Sequence, residues 1–324
     1  MQHLTLFHSS DHQSTEVTDL PGLLASEDQL FWLDLRGPDE EAMRLMRDVF
    51  HFHPVAIEDT RNHEQRPKLE EYNGHIFLIV NPVSMHGDHA LDFRELDIFV
   101  GRNFVVTVHA DEEPVIKQVQ ERLAHTNRSQ MSVSYLLYLL LDATVDGYFP
   151  VMDAYEEAIN RLEDEAFINP RQQTLNDIFA LKRELLNLWR VVWPSRDLVS
   201  NLAQPHVRGF EDGNPAEYYM RDVSDHLFWI ADMITTFRET LMGMIDLYMS
   251  AVSNRLNRVV NRLTVLTLGF GVLAVITGFF GMNFTRTWPD FENPMGVLFV
   301  IGLMVLVGIV MAYVLWQVDR YYKT

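Results

Sequence analysis

Two apolar runs, Leu263 to Phe280 and Met295 to Trp316, stand near the C-terminal end of the chain, and neither holds a charged residue. A bilayer core takes about 20 apolar residues as a helix, so each run predicts a membrane-spanning helix. Upstream of the first, the pattern turns amphipathic. From Met220, apolar residues recur at Val223, Leu227, Ile230, Ile234, Phe237, Leu241, Met244 and Tyr248, alternating steps of three and four. That seam predicts a heptad-like helix. No Gly-Pro break interrupts it before the first span, so one helix is expected from about Glu217 to Phe280. At about 1.5 Å per residue it would run roughly 95 Å, several times the thickness of a membrane, and so would project as a stalk. Asp225, Asp232, Glu239 and Asp246 repeat every seven residues on another face. They read either as a solvated face or as acids lining a cation vestibule.

The N-terminal third reads differently. Gln29 to Leu35, His75 to Val80, Leu96 to Val100 and Asn103 to Val108 are short runs rich in β-branched and aromatic residues, which predict strands. Gly101-Arg102-Asn103 is the expected hairpin turn between the last two. Asp39 to Phe50 and Glu113 to His125 predict helices. From Ser132 onward the pattern is almost wholly helical, with one helix expected from Ser132 to Phe167 and another from Gln172 to about Leu202, separated at Asn169-Pro170. The expected organisation is an α+β domain with a mixed sheet over 1–130 and an acidic helical hairpin over 131–214. A stalk helix over 215–262, a first span over 263–283, an external loop over 284–294, a second span over 295–316 and a tail over 317–324 complete it.

Composition narrows the function. The chain of 324 residues carries a formal net charge of -19 and no Cys, which excludes a disulfide framework or thiolate metal site. The acidic balance argues against nucleic-acid binding. Neither a Walker-type loop nor a Gly-x-Gly-x-x-Gly fingerprint is present, so no nucleotide-driven motor is expected. The first ten residues lack the basic and apolar regions of a signal peptide. Arg255, Arg258 and Arg262 precede the first span and Arg320 and Lys323 follow the second, while the loop between them sets Arg286 against Asp290 and Glu292. The positive-inside rule then places both termini in the cytoplasm.

Two helices enclose no lumen, so conduction would require an oligomer. One face of the first span carries Asn257, Val260, Thr264, Thr267, Gly271, Ala274 and Gly278. Small and hydroxyl residues leave room for water along a pore, but they serve close helix packing equally well. The second span, nearly all Val, Leu, Ile, Met and Gly, reads as lipid-facing.

Gly281-Met282-Asn283-Phe284, at the end of the first of two C-terminal spans, resembles the signature of the CorA family of divalent cation channels. The resemblance extends to Phe52-His-Pro-Val-Ala-Ile-Glu-Asp59-Thr-Arg-Asn-His-Glu-Gln-Arg-Pro-Lys-Leu-Glu, to Arg221-Asp222-Val-Ser-Asp225-His226, and to Ser253-Asn-Arg-Leu-Asn257-Arg. It covers nearly the whole chain. It implies a funnel-shaped homopentamer in the bacterial inner membrane, with Gly281, Met282 and Asn283 as the filter and an Asn ring at the outer pore mouth. It also implies passage of Mg2+, with Co2+ or Ni2+ as further ions. Asp59 and Asp222 occupy the positions at which the family holds a regulatory divalent ion between neighbouring cytosolic domains. An Asn ring suits the task chemically: Mg2+ keeps its waters, and amide oxygens accept hydrogen bonds from that shell without a deep well. Gly and Asn at a helix C-terminus also serve as caps.

Two departures bear on the substrate. The loop Phe284-Thr-Arg-Thr-Trp-Pro-Asp290-Phe-Glu292 replaces the family's usual Met-Pro-Glu-Leu, leaving Asp290 and Glu292 as outer-mouth acids, and the tail is less basic than is common. Both leave room for the zinc-transporting relatives, some proton-coupled. His51, His53 and His63 stand near Glu58 and Asp59, and imidazoles suit Zn2+; on a helix, however, His-x-His would point its side chains apart, leaving scattered surface histidines as the alternative. No hydrolase or metalloprotease constellation appears, so an enzyme is not expected. A membrane-tethered sensor or scaffold that conducts nothing is the alternative of another class.

Overall fold

The computed structural model describes residues 2–7, 12–15, 20–26, 29–62, 65–86, 90–126, 131–168, 171–203, 215–282, 289 and 294–321. The chain divides into two compact units. The first comprises Met1–Asp164 and Gln173–Gly243; the second comprises Glu165–Gln172 and Met244–Thr324.

The first unit is built on a seven-stranded sheet. Its strands are β1 (Gln2–Phe7), β2 (His12–Thr15), β3 (Leu30–Arg36), β4 (Lys68–Tyr72), β5 (His75–Val80), β8 (Leu96–Val100) and β9 (Phe104–His109), in the order β2-β1-β3-β9-β8-β5-β4. A separate hairpin pairs β6 (Val83–His86) with β7 (Ala90–Phe93). Only β3 and β9 run parallel, with Leu33 opposite Val106; the other neighbours in the sheet are antiparallel, so it is mixed. Every residue of β5, β8 and β9 is buried. Covering on both faces explains why these strands read as continuous apolar runs rather than alternating ones. On one face Phe31, Leu33, Leu35, Phe77, Phe99 and Val106 pack with Met43, Met46 and Ile57. On the other, Trp32 donates from Nε1 to Thr107 Oγ1 at 2.9 Å, and the helix α5 (Val133–Asp146) packs against β9.

All four expected strands begin and end within one residue of the sequence reading, and His75–Val80 and Leu96–Val100 coincide with it. Gly101 N donates to Phe104 O at 2.9 Å in the expected turn. Asn103, the last residue of that turn, is 8% exposed and donates from Nδ2 to the carbonyls of Leu23, Ser26 and Gln29, which anchors the chain entering β3. The helix expected over Asp39 to Phe50 is instead α2 (Glu40–Arg44), capped by Asp39, followed by a π-helical turn over Leu45–Val49. The wider turn lets Phe50 N reach Leu45 O at 3.2 Å while Met46, Phe50 and Phe52 all enter the core. Asp59 lies on a helix, α3 (Pro54–Arg61), with Pro at the N-terminal position where no N–H is needed.

The remaining helices are α1 (Leu20–Ala25), α4 (Pro114–Ala124), α6 (Phe149–Ile168), α7 (Gln172–Leu202), α8 (Pro215–Phe280) and α9 (Pro294–Tyr321). The single helix expected over Ser132 to Phe167 is two, broken at Gly147-Tyr148, where the Tyr148 hydroxyl donates to Asn81 O at 2.9 Å. Helix α8 has 66 residues, close to the sequence reading. All eight seam residues, Val223 to Tyr248, are buried, and Asp225, Asp232, Glu239 and Asp246 are exposed.

Candidate functional site

In the second unit, α8 and α9 meet at Gly269. A Cβ there would lie 2.3 Å from Met311 Sδ and 3.2 Å from its Cγ, so any larger residue would have to push the Met311 side chain aside. Val265, Leu266, Leu273 and Ile276 share that covered side. At about 100° per residue, Asn257, Val260, Thr264, Thr267, Gly271, Ala274 and Gly278 fall on the opposite side, and all seven are exposed. The Thr264 hydroxyl donates to Val260 O at 2.9 Å. Its hydrogen is therefore spent within the helix, and its oxygen remains as an acceptor.

Helix α8 ends at Phe280. Gly281 N still donates to Thr277 O at 2.9 Å, and Met282 N reaches Phe279 O at 3.3 Å. Gly281 does not adopt a left-handed conformation; its requirement for glycine comes from crowding, since a Cβ would stand 2.9 Å from Thr277 O. Asn283, Asp290 and Glu292 lie outside the described residues.

The carboxylates singled out in the sequence both belong to the first unit. Asp59, on α3, accepts from Lys68 Nζ at 2.7 Å, and Lys68 also reaches Glu70 Oε1 at 3.1 Å. Beneath this group lies Asp97, 1% exposed, with Oδ1 unpartnered. Burial, reinforced by Glu95, pushes its carboxyl well above the usual range. Asp222, on α8, is exposed and accepts from the Tyr138 hydroxyl at 3.3 Å. No described contact joins Asp59 to Asp222. His51 and His53 stand on no helix: His51 has φ 52° and His53 caps α3, stacked on Tyr72 with centroids 4.4 Å apart. They form no shared imidazole site, and His63 lies outside the described residues.

A cluster not anticipated from sequence lies on the Asp222 side. Asp142, Asp146 and His226 each place one ligand atom within 4.8 Å of the others. Arg122 bridges both carboxylates, reaching Asp146 Oδ2 at 2.7 Å. Burial raises the Asp142 carboxyl, a shift that Arg122 opposes and that Asp146 and Asp222 reinforce. The four-residue spacing of Asp142 and Asp146 was the available signal, but only folding brings α8 beside them.

The described residues thus combine a mixed-sheet domain, a 66-residue helix and two helical stretches long and apolar enough to cross a membrane. The family model described as CorA-like Mg2+ transporter protein matches residues 27–318. The Bacillus subtilis protein YfjQ is 32% identical over 314 residues, covering 96% of each chain. The cobalt/magnesium transport protein CorA of Thermotoga maritima is 30% identical over 303 residues, covering 91% of this chain and 85% of that one. Among solved structures, the complete CorA magnesium transporter of Methanocaldococcus jannaschii superposes with a TM-score of 0.80 at 21% identity, covering 97% and 96% of the two chains. The chain belongs to the CorA family of divalent cation transporters, a family of ion transporters and not of enzymes.

Proposed function

We propose that this chain forms a homopentameric Mg2+ channel of a bacterial inner membrane, with both termini cytoplasmic and α8 serving as stalk and pore-lining helix. The observation carrying this reading is the face of α8 turned away from α9: small and hydroxyl residues from Asn257 to Gly278 that lead to Gly281 and Met282. Such a face, useless for holding α9, lines a hydrated path once five copies surround an axis. Asn283, next in sequence, then forms the ring that accepts hydrogen bonds from the ion's water shell, with Asp290 and Glu292 raising local cation concentration outside. Co2+ and Ni2+ share the hydrated radius and charge needed to follow.

Asp59 and Asp222 act as regulatory carboxylates, with Mg2+ displacing Lys68 from Asp59 when it binds between neighbouring subunits. Asp142, Asp146 and His226 extend the Asp222 end of that site. An ion that binds only the closed arrangement stabilises it as its concentration rises, which gives negative feedback. The test is flux in liposomes holding only this protein, comparing Mg2+, Co2+, Ni2+ and Zn2+ with and without a proton gradient. Asn283→Ala should abolish selective Mg2+ flux while the oligomer stays assembled. Unchanged selectivity would remove the filter assignment; Zn2+ flux driven by protons would identify the zinc-transporting branch; no flux at all would indicate a sensor or scaffold.

A further inference from the structure

A cavity of about 760 Å3 lies within the first unit at one end of the sheet. The ends of β5 and β9, the residues leading into β4 and β8, and one flank of α7 enclose it. Its charge balance is informative once internal pairs are set aside. Arg94 is fully engaged, facing Asp92 at 3.2 Å and Glu113 at 3.7 Å and donating to Ser84 Oγ at 2.9 Å. His109, another lining residue, has an acceptor at each ring nitrogen, the Asp34 carboxylate at 3.1 Å and the Asp111 carbonyl, so both nitrogens carry hydrogen. Glu95, a further lining acid, is engaged through Oε2, which accepts from Gln65 N. What remains is a pair of guanidiniums, Arg66 and Arg190, and a pair of carboxylates, Asp111 and Glu184. None of these four side chains has an ion-pair partner among the described residues.

Asn81, also in the lining, is 6% exposed. Its Nδ2 donates to Gln65 O at 3.2 Å and Arg94 O at 3.3 Å, which fixes the amide orientation. Its Oδ1 is left buried with no donor. Buried acceptors are normally satisfied, so this one points to a missing N–H or O–H.

We infer that the cavity binds a small zwitterion of the α-amino-acid class. The carboxylate goes to the Arg66 and Arg190 forks, for which planar bidentate pairing is favourable. The ammonium goes to the carboxylates and donates to Asn81 Oδ1. A phosphate ligand is disfavoured on two counts. Glu113 already caps the N-terminus of α4, occupying the amides an anion would use, and the other lining acids would repel a multiply charged anion. A bare metal ion is disfavoured because no three lining acids converge; among the described residues the only such group is the Asp142 cluster elsewhere. The volume leaves space for a side chain and water.

The test is thermal stability and calorimetry of the full-length protein in detergent, with L-glutamine, glycylglycine, acetate, methylamine and inorganic phosphate as probes. L-glutamine or glycylglycine should raise the melting temperature where acetate and methylamine at equal concentration do not. Arg66→Gln combined with Arg190→Gln should weaken that binding at least tenfold while leaving the unliganded melting temperature unchanged, both side chains being exposed. Asn81→Leu should abolish binding, and if it fails to fold the arginine pair still decides. No response to either zwitterion, an equal response in the double variant, or a larger response to phosphate would each overturn the assignment.

Discussion

The sheet of the first unit and the helix pair of the second use the same residue types in opposite ways. Phe31, Leu33, Phe77 and Phe99 are 0% exposed, whereas Leu263 is 62%, Val275 71% and Ile309 61% exposed. Water penalises exposed apolar surface at about 25 cal/mol per Å2, so the sheet buries both faces. Lipid removes that penalty and helix association must come from close packing. Gly269 under Met311 shows the second regime. The difference teaches that burial reports core membership only where water is the solvent.

Phe99→Ala should destabilise the first unit by about 3–5 kcal/mol, while Val275→Ala, in detergent, should cost less than about 0.5 kcal/mol. Comparable losses in chemical denaturation would mean that Val275 is covered by protein rather than lipid. An intermediate effect is expected for Gly269→Leu, which forces Met311 aside and should cost about 1–3 kcal/mol. Met311→Ala in the same chain should restore part of the melting temperature; no rescue would show that the two helices are not held at this point.

The smallest effects concern pH and the buried histidines of the first unit. Burial, assisted by His53, pushes His75 down to about 4 from its usual 6.5, and its Nε2 has no partner. The unfolded chain therefore takes up that proton first, and stability falls as pH drops from 6.5 toward 4. His75→Phe, in a pocket already lined by Phe52, Tyr72 and Phe99, should flatten that loss relative to wild type in urea melts at pH 5 and 7. His109 shifts the other way. Its burial opposes the proton, but the hydrogen bonds and charge of Asp34 prevail and hold it above 6.5. Its contribution is complete below 6.5 and fades as pH rises through the raised value, so His109→Gln should narrow the difference in stability between pH 6 and 8.

Much of this was legible in the sequence because periodicity survives folding. The α8 seam, the two apolar helices and the strands β5 and β8 follow from patterns within one element. The losses have physical causes. β4, Lys68-Leu-Glu-Glu-Tyr72, carries charge because it is an edge strand; the signal for it was the Asn73-Gly74 turn, where Gly74 takes φ +94°. The Gly147 break was hidden because apolar residues continue through it. The cluster of Asp142, Asp146 and His226 joins α5 to α8, and the cavity around Asn81 draws on four loops and a helix, so neither leaves a trace at short range. Of the proposed ion path, the face from Asn257 to Gly278 was readable from spacing, but its relation to α9 depends on where Gly269 packs.

β4 has one further consequence. An edge strand offers unpaired backbone groups to any passing chain, and a protein made in several copies on one membrane meets its own kind before assembly. Lys68, Glu70 and Glu71 place three charges along five residues of that edge, with Lys68 tied to Asp59 and Glu70. A neighbour adding a strand there would have to strip water from all three. The edge therefore resists aggregation during synthesis, and a chain carrying Val at Lys68, Glu70 and Glu71 would be the form that precipitates.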